Sequence, residues 1–523
     1  MCVKSTKKTM QKKIQTILLS LLWFVQLTTV LLMMYKIWVL DYFPSSLYTA
    51  ILVILVSLSG ITGILLVIIR KKIRTPSYIF QKIVGVILAV SVTTASVFGA
   101  NVVQQLSDTV NHVTSEKSES TKYGVYVMKT VKAKKLSDIK DYTFVVGKSD
   151  EDKKAIKKIK DKIDGTITTI KADSPVDAVK TLYEAQDQST AIVINKAYID
   201  VIMDIGKYAK FDKQTRCVYT VNIKKKKIAK INSDIVKNPF VMYLSGSDTR
   251  DEELTTSRSD VNIMMVVNPV SKQILMVNTP RDYYIPNPVG GGALDKLTHC
   301  GIYGIDVSMQ ALSDLYDEQI DYYAQINFSG FEKVIDALGG IDVDIPEGQE
   351  VDVFYSDSSE GVHAGVNHLD GKRALAFARE RYAYEDGDNQ RGRNQMYVIS
   401  LVLDKLQSGQ ALKSYSQIFD SIKGMFTTNL SSEQISDLVK MQLQDMAKWN
   451  IKSYAVTGSG SEQGTYSSGS TPLYVMMPDY STVDKAVTLI NKVVNGETLT
   501  DEDINGTPVE DVDNQEYESI NIQ

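Results

Sequence analysis

Arginine is the residue type in this sequence whose distribution most directly suggests chemistry. There are eleven arginines and forty-seven lysines, and eight of the arginines lie between Arg250 and Arg393. The lysine-rich stretch 101–240 contains only Arg216. A guanidinium group binds phosphate or carboxylate oxygens two at a time, whereas an ammonium group is a point charge that suits solvated surfaces. This distribution predicts an anionic ligand in the arginine-rich region.

Two aspartates next to predicted strands could bind a cation. Asp248 follows the apolar run 241–244, and Asp260 precedes the run 261–267. If these strands are neighbours, both carboxylates lie at one edge of a sheet. Mg²⁺ binds one or two carboxylates together with the phosphate oxygens of a substrate. The alternative is that both aspartates are caps or turn formers, and the sequence does not decide between the two.

Several arginines fall where predicted elements begin or end. Arg281 follows a strand, and Arg379 and Arg381 lie at the end of a helix predicted over 369–379. Arg391 and Gln395 are four residues apart and therefore share a helix face. The backbone amides at that helix start also favour an anion. Together these donors predict a site for a diphosphate.

The alternative for these arginines is a network of internal ion pairs with the acidic residues Glu380, Glu385, Asp386 and Asp388. Such a network does not explain why arginine is used throughout instead of lysine. The carboxylates Asp282 and Asp388 lie near the arginines in sequence and are candidates for a general base. The histidines are scattered without ligand spacing, which disfavours zinc. Three cysteines give no even disulfide framework.

The first hundred residues predict a membrane anchor. The runs 14–40, 47–69 and 78–100 are almost wholly apolar. Each reaches the roughly 20 residues that are needed to cross the hydrocarbon core of a bilayer. Lysines precede the first run, the loop 41–46 has no basic residue, and the loop 70–74 has four. Because cytoplasmic loops are enriched in basic residues, we expect a cytoplasmic N-terminus at 1–13 and an extracellular location for everything after residue 100.

The rest of the chain predicts two α/β domains behind a polar linker at 101–122. Short β-branched runs alternate with helical periodicity over 123–235, which indicates a smaller accessory domain. Longer alternation over 238–495 indicates an α/β/α sandwich with a mixed central sheet. The segment 496–523 is acidic and poor in large apolar residues, so we expect it to be disordered. A lysine-rich face (Lys153 to Lys162 and 224–227) either meets an anionic polymer or is a solvated helix face.

Several motifs in this order and spacing resemble the LytR-CpsA-Psr family over residues 238–410. The residues concerned are Leu-Ser-Gly-Ser-Asp at 244–248, Arg-Ser-Asp at 258–260, Thr-Pro-Arg-Asp at 279–282, Lys296, the segment 331–341, His-Leu-Asp-Gly-Lys-Arg-Ala-Leu at 368–375, Ala-Arg-Glu-Arg at 378–381 and Asp-Asn-Gln-Arg-Gly-Arg-Asn-Gln at 388–395. The three apolar runs and the accessory domain resemble the capsule-associated CpsA branch of streptococcus-like bacteria. Asn394 and the run 297–300 depart from the family pattern without removing a proposed ligand.

The resemblance implies an extracellular phosphotransferase that moves capsular polysaccharide from a polyprenyl-diphosphate carrier to the muramic acid of peptidoglycan. It implies that Asp248 and Asp260 hold Mg²⁺ and that Arg258 supports the site. With Arg281 at the diphosphate, we expect Arg258, Arg281 and the candidate base Asp388 to be the catalytic residues. The diphosphate would be bound by Arg281, Arg379, Arg381, Arg391 and Gln395. The lipid would lie in an apolar tunnel, with lining candidates Ile302, Val307, Met309, Leu312, Phe328, Phe331, Val334, Ile335, Val398 and Val402, most of which are also suited to an ordinary core.

Three alternatives follow from the same residues. The first is hydrolysis of the polyprenyl diphosphate, with water as the acceptor. The second is a membrane-tethered transcriptional regulator of capsule genes, which is disfavoured because a net charge of −4 and short cytoplasmic loops offer little for DNA. The third is a scaffold for other capsule assembly proteins that uses the 123–235 domain as a docking surface.

Overall fold

The computed structural model describes residues 2–41, 43–68, 75–114, 120–163, 167–185, 189–224, 231, 233–249, 254–407, 418 and 421–506. The basic loop 70–74, the lysines 225–227 and the acidic segment 507–523 lie outside the described residues. The chain divides into two compact units, of which the first is Met1–His112, Tyr415–Asp420 and Ser432–Ala447, and the second is Val113–Ser414, Ser421–Ser431 and Lys448–Gln523.

The first unit is built from long apolar helices. Its helices are α1 (Cys2–Leu40), α2 (Ser45–Gly63), which continues as a π-helical turn (Ile64–Ile68), α3 (Pro76–Val113) and the later helix Ser432–Asp445. Within the described residues, three spans are long and apolar enough to cross a membrane: Lys13–Leu40, Ser45–Ile68 and Pro76–Gln105. The three predicted apolar runs therefore form three helices. The predicted linker at 101–122 is wrong in its first part, because α3 continues to Val113.

Polar contacts inside this unit hold its helices together. The π-helical turn frees backbone carbonyls, and Lys82 Nζ donates to the carbonyl oxygens of Leu65 at 2.7 Å and Leu66 at 2.8 Å. Ser436 Oγ in the helix Ser432–Asp445 donates to the carbonyl oxygen of Asp41 at 2.6 Å. Unsatisfied carbonyls are costly in a hydrocarbon environment, so these donors compensate the irregular backbone.

The second unit begins with the accessory domain. Its strands are β1 (Ser120–Met128), β2 (Thr143–Val146), β3 (Thr168–Lys171), β4 (Thr190–Asn195) and β5 (Thr215–Lys224), and its helices are α4 (Asp150–Lys160), α5 (Pro175–Glu184), α6 (Ile199–Asp204) and α7 (Phe211–Gln214). The sheet order among these strands is β3-β2-β4-β1-β5, with β2 parallel to β3 and β4. Ser149 and Ser174 accept hydrogen bonds from backbone amides and thereby cap α4 and α5. Apolar clusters lie on both faces of this sheet.

The larger domain contains the remaining strands and helices of the second unit. Its elements are β6 (Phe240–Ser247), β7 (Ser259–Asn268), β8 (Gln273–Asn278), β9 (Tyr284–Pro286), β10 (Leu294–Lys296), α8 (Leu297–Tyr303), α9 (Ile305–Tyr316), β11 (Tyr322–Asn327), α10 (Phe328–Ala337), β12 (Ile341–Ile345), β13 (Val351–Phe354), β14 (Ser359–Val362), β15 (Gly365–Leu369), α11 (Gly371–Arg379), α12 (Asp388–Gln407), β16 (Phe426–Thr428), β17 (Asn450–Ala455), β18 (Gly458–Thr465), β19 (Gly469–Pro478), α13 (Tyr480–Val494) and α14 (Asp501–Asn505).

A mixed sheet forms the centre of the larger domain. Its order in the described part of the chain is β16-β11-β6-β7-β8-β17, with parallel pairs β11–β6 and β8–β17 and antiparallel pairs elsewhere. Alternate residues of β6, β7 and β8, such as Tyr243, Met264 and Leu275, are buried against α9 and α13. Helices α10, α11 and α12 cover the other face. The predicted α/β/α sandwich with a mixed sheet is confirmed.

The start of the acidic C-terminal segment is ordered, which corrects the prediction of disorder from residue 496. Leu499 is buried, and α14 follows it directly. Lys492 Nζ bonds Asp503 Oδ1 at 2.6 Å, and Thr500 caps α14 by accepting a hydrogen bond from the backbone amide of Asp503. Three acidic residues in the first turn of α14 complement the positive end of the helix dipole, so composition alone misjudged this stretch.

Candidate active site

One edge of the central sheet brings together three of the predicted site residues. Strand β6 ends at Ser247, which pairs with Ser259 at the start of β7, so Asp248 and Asp260 lie at the same edge. Strand β8 runs antiparallel to β7 and ends at this edge as well. Arg281 lies three residues beyond the end of β8. Between them, the amide of Thr279 donates a hydrogen bond to the carbonyl oxygen of Asn262 at 2.9 Å, which continues the pairing with β7. The sequence prediction that these residues share an edge is therefore met by the strand register.

Each aspartate at this edge is paired with an arginine. Arg258 Nη2 lies 3.0 Å from Asp248 Oδ2, and Arg281 Nη1 lies 2.7 Å from Asp260 Oδ1. The four side chains are between 15% and 18% exposed, so solvent screens these pairs only partly. Burial opposes ionisation of Asp260, but Arg281, Arg391 and Arg258 hold its pKa below the usual value. Burial, followed by the charge of Asp260, raises the pKa of Asp248.

The donor set at this edge fits a divalent cation. Within the described residues, no group donates a hydrogen bond to Oδ1 of Asp248 or to Oδ2 of Asp260, so one oxygen of each carboxylate is available. No cluster of three or more His, Cys, Asp or Glu side chains in the described part of the chain is arranged as a metal site. A cation here would therefore take its remaining ligands from a substrate or from water, as Mg²⁺ does.

Helix α12 delivers a second group of site residues. It begins at Asp388, and its first turns carry Arg391 and Gln395, both buried. Arg391 Nη2 lies 2.7 Å from Asp388 Oδ1. A Cβ atom on Gly392 would stand only 2.2 Å from Asn278 Nδ2, so the helix approaches the end of β8 at this glycine. This close approach brings Arg391 to the sheet edge.

The end of α11 supplies Arg379 and Arg381. Glu380 between them is fully buried and accepts hydrogen bonds from the backbone amides of Arg381, Tyr382 and Ala383 with its Oε1. Its Oε2 accepts from the amide of Tyr355 at 2.6 Å. Glu380 therefore fixes the backbone and does not neutralise its arginine neighbours. The alternative of an internal ion-pair network holds for Arg391 with Asp388 and for Arg393 with Asp386. In the part of the chain that the structure describes, Arg379 and Arg381 form no such pair.

A cavity of about 420 Å³ opens behind these arginines. We call it the apolar chamber; it is lined by Leu244, Ser245, Gly246, Asp260, Val261, Arg281, Ala324, Ile326, Asn327, Phe328, Phe331, Tyr355, Ser356, Leu375, Ala378, Arg379, Arg381, Tyr382, Arg391, Gln395, Ile399 and Phe426. The sheet contributes residues at paired positions, with Gly246 opposite both Ile326 and Val261 and with Leu244 opposite Ala324. The chamber lies between these strand residues and helices α10, α11 and α12.

A second cavity of about 570 Å³ lies on the other side of the same arginines. We call it the polar chamber; it is lined by Val201, Asp204, Arg258, Arg281, Asp282, Lys296, Thr298, His299, Arg381, Tyr382, Gly387, Asp388, Leu473 and Tyr474. Arg281, Arg381 and Tyr382 line both chambers. Helix α6 of the accessory domain contributes Val201 and Asp204, and Asp204 Oδ2 lies 3.2 Å from Arg258 Nη1.

All nine site residues that the sequence predicted lie at these two chambers or on the edge between them. Arg379, Arg391 and Gln395 line the apolar chamber, Arg258 and Asp388 line the polar chamber, and Asp248 is joined to the site by its pair with Arg258. The sequence did not separate the ten candidates for the lipid-tunnel lining from ordinary core residues. Of the ten candidates only Phe328 and Phe331 line the apolar chamber, whereas Ile302, Leu312 and Val398, for example, are buried in hydrophobic clusters.

Sequence reasoning missed His299, Tyr382, Tyr474 and helix α6. His299 lies near the start of α8 and pairs with Asp295 of the preceding strand β10, a contact across two elements that helical spacing does not predict. Tertiary packing brings residues of α6 and of the β18–β19 hairpin to the polar chamber, and no local sequence pattern predicts such packing.

The arginine-lined edge with an apolar chamber behind it forms a site suited to an amphiphilic anion on a chain with three apolar helices. The model of the LytR_cpsA_psr family matches residues 205–486, more than half of the chain. The chain belongs to this family.

Relatives of known designation agree with the family. The chain is 33% identical over 201 residues to the polyisoprenyl-teichoic acid–peptidoglycan teichoic acid transferase TagT of Bacillus subtilis strain 168, which covers 37% of this chain and 61% of that protein. It is 31% identical over 238 residues to the transferase TagU of Bacillus mycoides strain KBAB4, covering 45% of this chain and 72% of that protein. The crystal structure of protein gbs0355 from Streptococcus agalactiae superposes with a TM-score of 0.44 at 23% identity, covering 56% of this chain and 99% of that one.

Proposed function

We propose that this protein transfers a glycopolymer from a polyprenyl-diphosphate carrier to a hydroxyl group of peptidoglycan, as a phosphodiester. The relatives TagT and TagU are named as transferases of this kind for teichoic acid. The observation that carries the proposal is the pair of chambers that share Arg281, Arg381 and Tyr382. A prenyl chain is complementary to the apolar chamber, and a glycan is complementary to the polar chamber. The diphosphate that joins them is complementary to the shared arginines.

The protein's own residues can bind and orient the reacting groups. Arg281, Arg379, Arg381 and Arg391, together with Gln395, surround the place where the diphosphate would lie. Phosphoryl transfer depends on charge neutralisation and in-line positioning more than on a covalent nucleophile. The ion pair of Arg281 with Asp260 at 2.7 Å holds the guanidinium group in one orientation. The arginine side chain therefore needs little reorganisation when the diphosphate binds.

We propose that Asp248 and Asp260 hold Mg²⁺ when the substrate is present. What supports this is the free oxygen on each carboxylate and the raised pKa of Asp248, part of which comes from the charge of Asp260. The ion would neutralise charge on the phosphate oxygens. The arginines that pair with the two aspartates balance their charge in the meantime.

We further propose that the glycopolymer is a capsular polysaccharide, that the N-terminus is cytoplasmic and that both α/β domains are extracellular. The polymer is proposed from the resemblance of the three-helix anchor and the accessory domain to the capsule-associated branch. The orientation is proposed from the lysines before the first span and the basic loop 70–74. Wall-bound capsule and wall-bound teichoic acid, measured separately in cells that lack the protein, test the choice of polymer, and loss of teichoic acid alone contradicts it.

The transfer proposal is tested with the full chain in detergent. A polyprenyl-diphosphate oligosaccharide is mixed with a muramic-acid-containing glycan and Mg²⁺, and the products are separated by mass. The proposal expects a glycan–phosphate–glycan product and a polyprenyl monophosphate in equal amounts. Release of a free sugar phosphate without the joined product would indicate a hydrolase. No turnover by the wild-type protein, with an authentic donor, would refute the proposal.

A further inference from the structure

A series of buried, hydrogen-bonded polar side chains lies next to the polar chamber. Helix α8 is attached to the segment that carries Arg281, since the amide of Thr298 donates to the carbonyl oxygen of Arg281 at 2.8 Å and that of Leu297 donates to Tyr283 at 2.9 Å. The next residue, His299, lines the polar chamber although its side chain is only 4% exposed. The imidazole ring is therefore held beside Arg281 in the chamber wall.

Asp295 fixes the orientation and the tautomer of this ring. It is fully buried, and its Oδ1 contacts His299 Nδ1 at 2.7 Å and accepts from the amide of Lys296 at 2.9 Å. Its Oδ2 accepts from Ser467 Oγ at 2.6 Å and from Asn287 Nδ2 at 3.2 Å. Burial opposes ionisation of Asp295, but His299 and these donors hold its pKa below the usual value. An ionised Asp295 takes the Nδ1 proton in a hydrogen bond, which leaves the lone pair on Nε2.

The Nε2 atom of His299 is available to a ligand. No group in the described part of the chain hydrogen-bonds it. The carboxylates suggested as bases by the sequence are less suitable, because Asp282 is paired with Lys296 at 3.0 Å and with Arg281 at 3.5 Å. Asp388 is paired with Arg391 at 2.7 Å. Burial opposes ionisation of Asp282, but Arg281 and Lys296 hold its pKa below the usual value, and a low pKa makes a weak base.

We propose that His299, oriented by Asp295, is the general base that activates the acceptor hydroxyl. This inference rests on the proposed transferase function. The hydroxyl oxygen of the acceptor sugar forms a bond to the glycan-bearing phosphorus, and its proton moves to Nε2 of His299. The bond from that phosphorus to the bridging oxygen breaks, and the electron pair leaves with the polyprenyl monophosphate. Protonated His299 then gives its proton to the leaving phosphate, which regenerates the neutral ring.

The charged groups around the ring belong to several elements. Those lining the polar chamber with it are Asp204, Arg258, Arg281, Asp282, Arg381 and Asp388, and Lys296 lies on its own segment. On the buried side, the hydroxyl of Tyr198 lies 3.3 Å from Ser467 Oγ, which in turn bonds Asp295.

The test compares His299→Gln with His368→Gln. His368 is a matched control because its Nδ1 lies 2.7 Å from Asp342 Oδ1, but this pair is more than half exposed and lines neither chamber. Glutamine has a similar length and an amide that can form hydrogen bonds, but it does not accept a proton. We expect His299→Gln to lower the single-turnover rate of transfer about 10²- to 10⁴-fold, the usual contribution of a general base. Binding of the polyprenyl-diphosphate donor should change less than about threefold, because the base acts on the acceptor hydroxyl.

The pH dependence separates a base from a packing residue. The wild-type rate should fall as the pH is lowered, because protonated imidazole cannot take the hydroxyl proton, and this acid limb should vanish in His299→Gln. Added imidazole should restore part of the rate of His299→Ala, with the same acid limb. If the transfer rate of the wild-type protein does not fall at low pH, the proposal is overturned, and this holds even if none of the variants folds. Wild-type transfer with an unchanged rate in His299→Gln overturns it as well, whereas failure of the wild type to transfer would instead refute the function.

Discussion

Replacing Arg281 by lysine tests whether the guanidinium fork, and not merely a positive charge, is needed at the junction of the two chambers. The side chain is 18% exposed and lies 2.7 Å from Asp260. Removing it altogether would leave a buried carboxylate unpaired, at a cost of about 3–5 kcal/mol in stability. Lysine retains the charge toward Asp260, so the folding free energy should fall much less than in Arg281→Ala, and a loss of activity can be assigned to the site.

The expected loss of activity follows from the number of donors. An arginine at this position can address Asp260 and a phosphate oxygen at once, whereas an ammonium group cannot reproduce that planar geometry. Losing one preorganised donor to a developing charge costs about 3–4 kcal/mol, which corresponds to a roughly 10²- to 10³-fold lower rate. The single-turnover rate of transfer is the quantity to measure, since product release can mask the chemical step in kcat.

Arg393→Lys is the matched control for this substitution. Arg393 lies on the same helix as Arg391 but is 43% exposed, pairs with Asp386 and lines neither chamber. Its replacement should change the rate less than about twofold, because surface substitutions usually alter free energies by less than about 0.5 kcal/mol. Equal activity of Arg281→Lys and Arg393→Lys would refute the assignment of the diphosphate to the junction.

Three further perturbations address the metal, the helix position and the acid response. Asp260→Asn should raise the Mg²⁺ concentration needed for half-maximal transfer at least tenfold, whereas an unchanged requirement would speak against this residue as a ligand. Gly392→Ala should lower the transfer rate about tenfold or more, because the added Cβ would meet Asn278 at 2.2 Å and push Arg391 away from the edge; a normal rate would show that α12 can shift freely. Asp282 has a folded-state pKa below its usual value of 3.8, so its stabilising contribution is present above that value and is lost as the pH falls through the folded-state pKa. Chemical unfolding below pH 4 should therefore depend less on pH in Asp282→Asn than in the wild type, and equal slopes would contradict the pairing with Lys296.

The sequence predicted the central elements well because their signals are local. Strands β6, β7 and β8 are continuous apolar runs, and Asp248, Asp260 and Arg281 adjoin them, so adjacency of the strands sufficed to place all three at one edge. The other predicted site residues also adjoin predicted elements, and the structure places all nine at the two chambers or beside them. Neither prediction required knowledge of how distant segments pack.

The parts that were missed depend on contacts between distant segments. The β18–β19 hairpin is rich in glycine and serine and lacks an alternating apolar pattern, so its local sequence does not predict strands. The apolar chamber lies between three helices and paired residues of β6, β7 and β11, and the register that pairs these residues is a property of the assembled sheet. Most predicted lining residues fill the core instead, because apolar side chains are equally suited to a core and to a lipid site.

The shared side chains between the two chambers have a kinetic consequence. In the proposed transfer, Arg281, Arg381 and Tyr382 would face the donor from one side and the acceptor from the other, so a phosphorus atom held there would be open to whatever fills the polar chamber. Water competes with the sugar hydroxyl for that space of about 570 Å³ whenever no glycan is present. Partitioning between productive joining and wasteful cleavage would then depend on acceptor saturation. Substitutions in helix α6, whose Asp204 lines the same space, should therefore change that ratio without altering the affinity for the lipid.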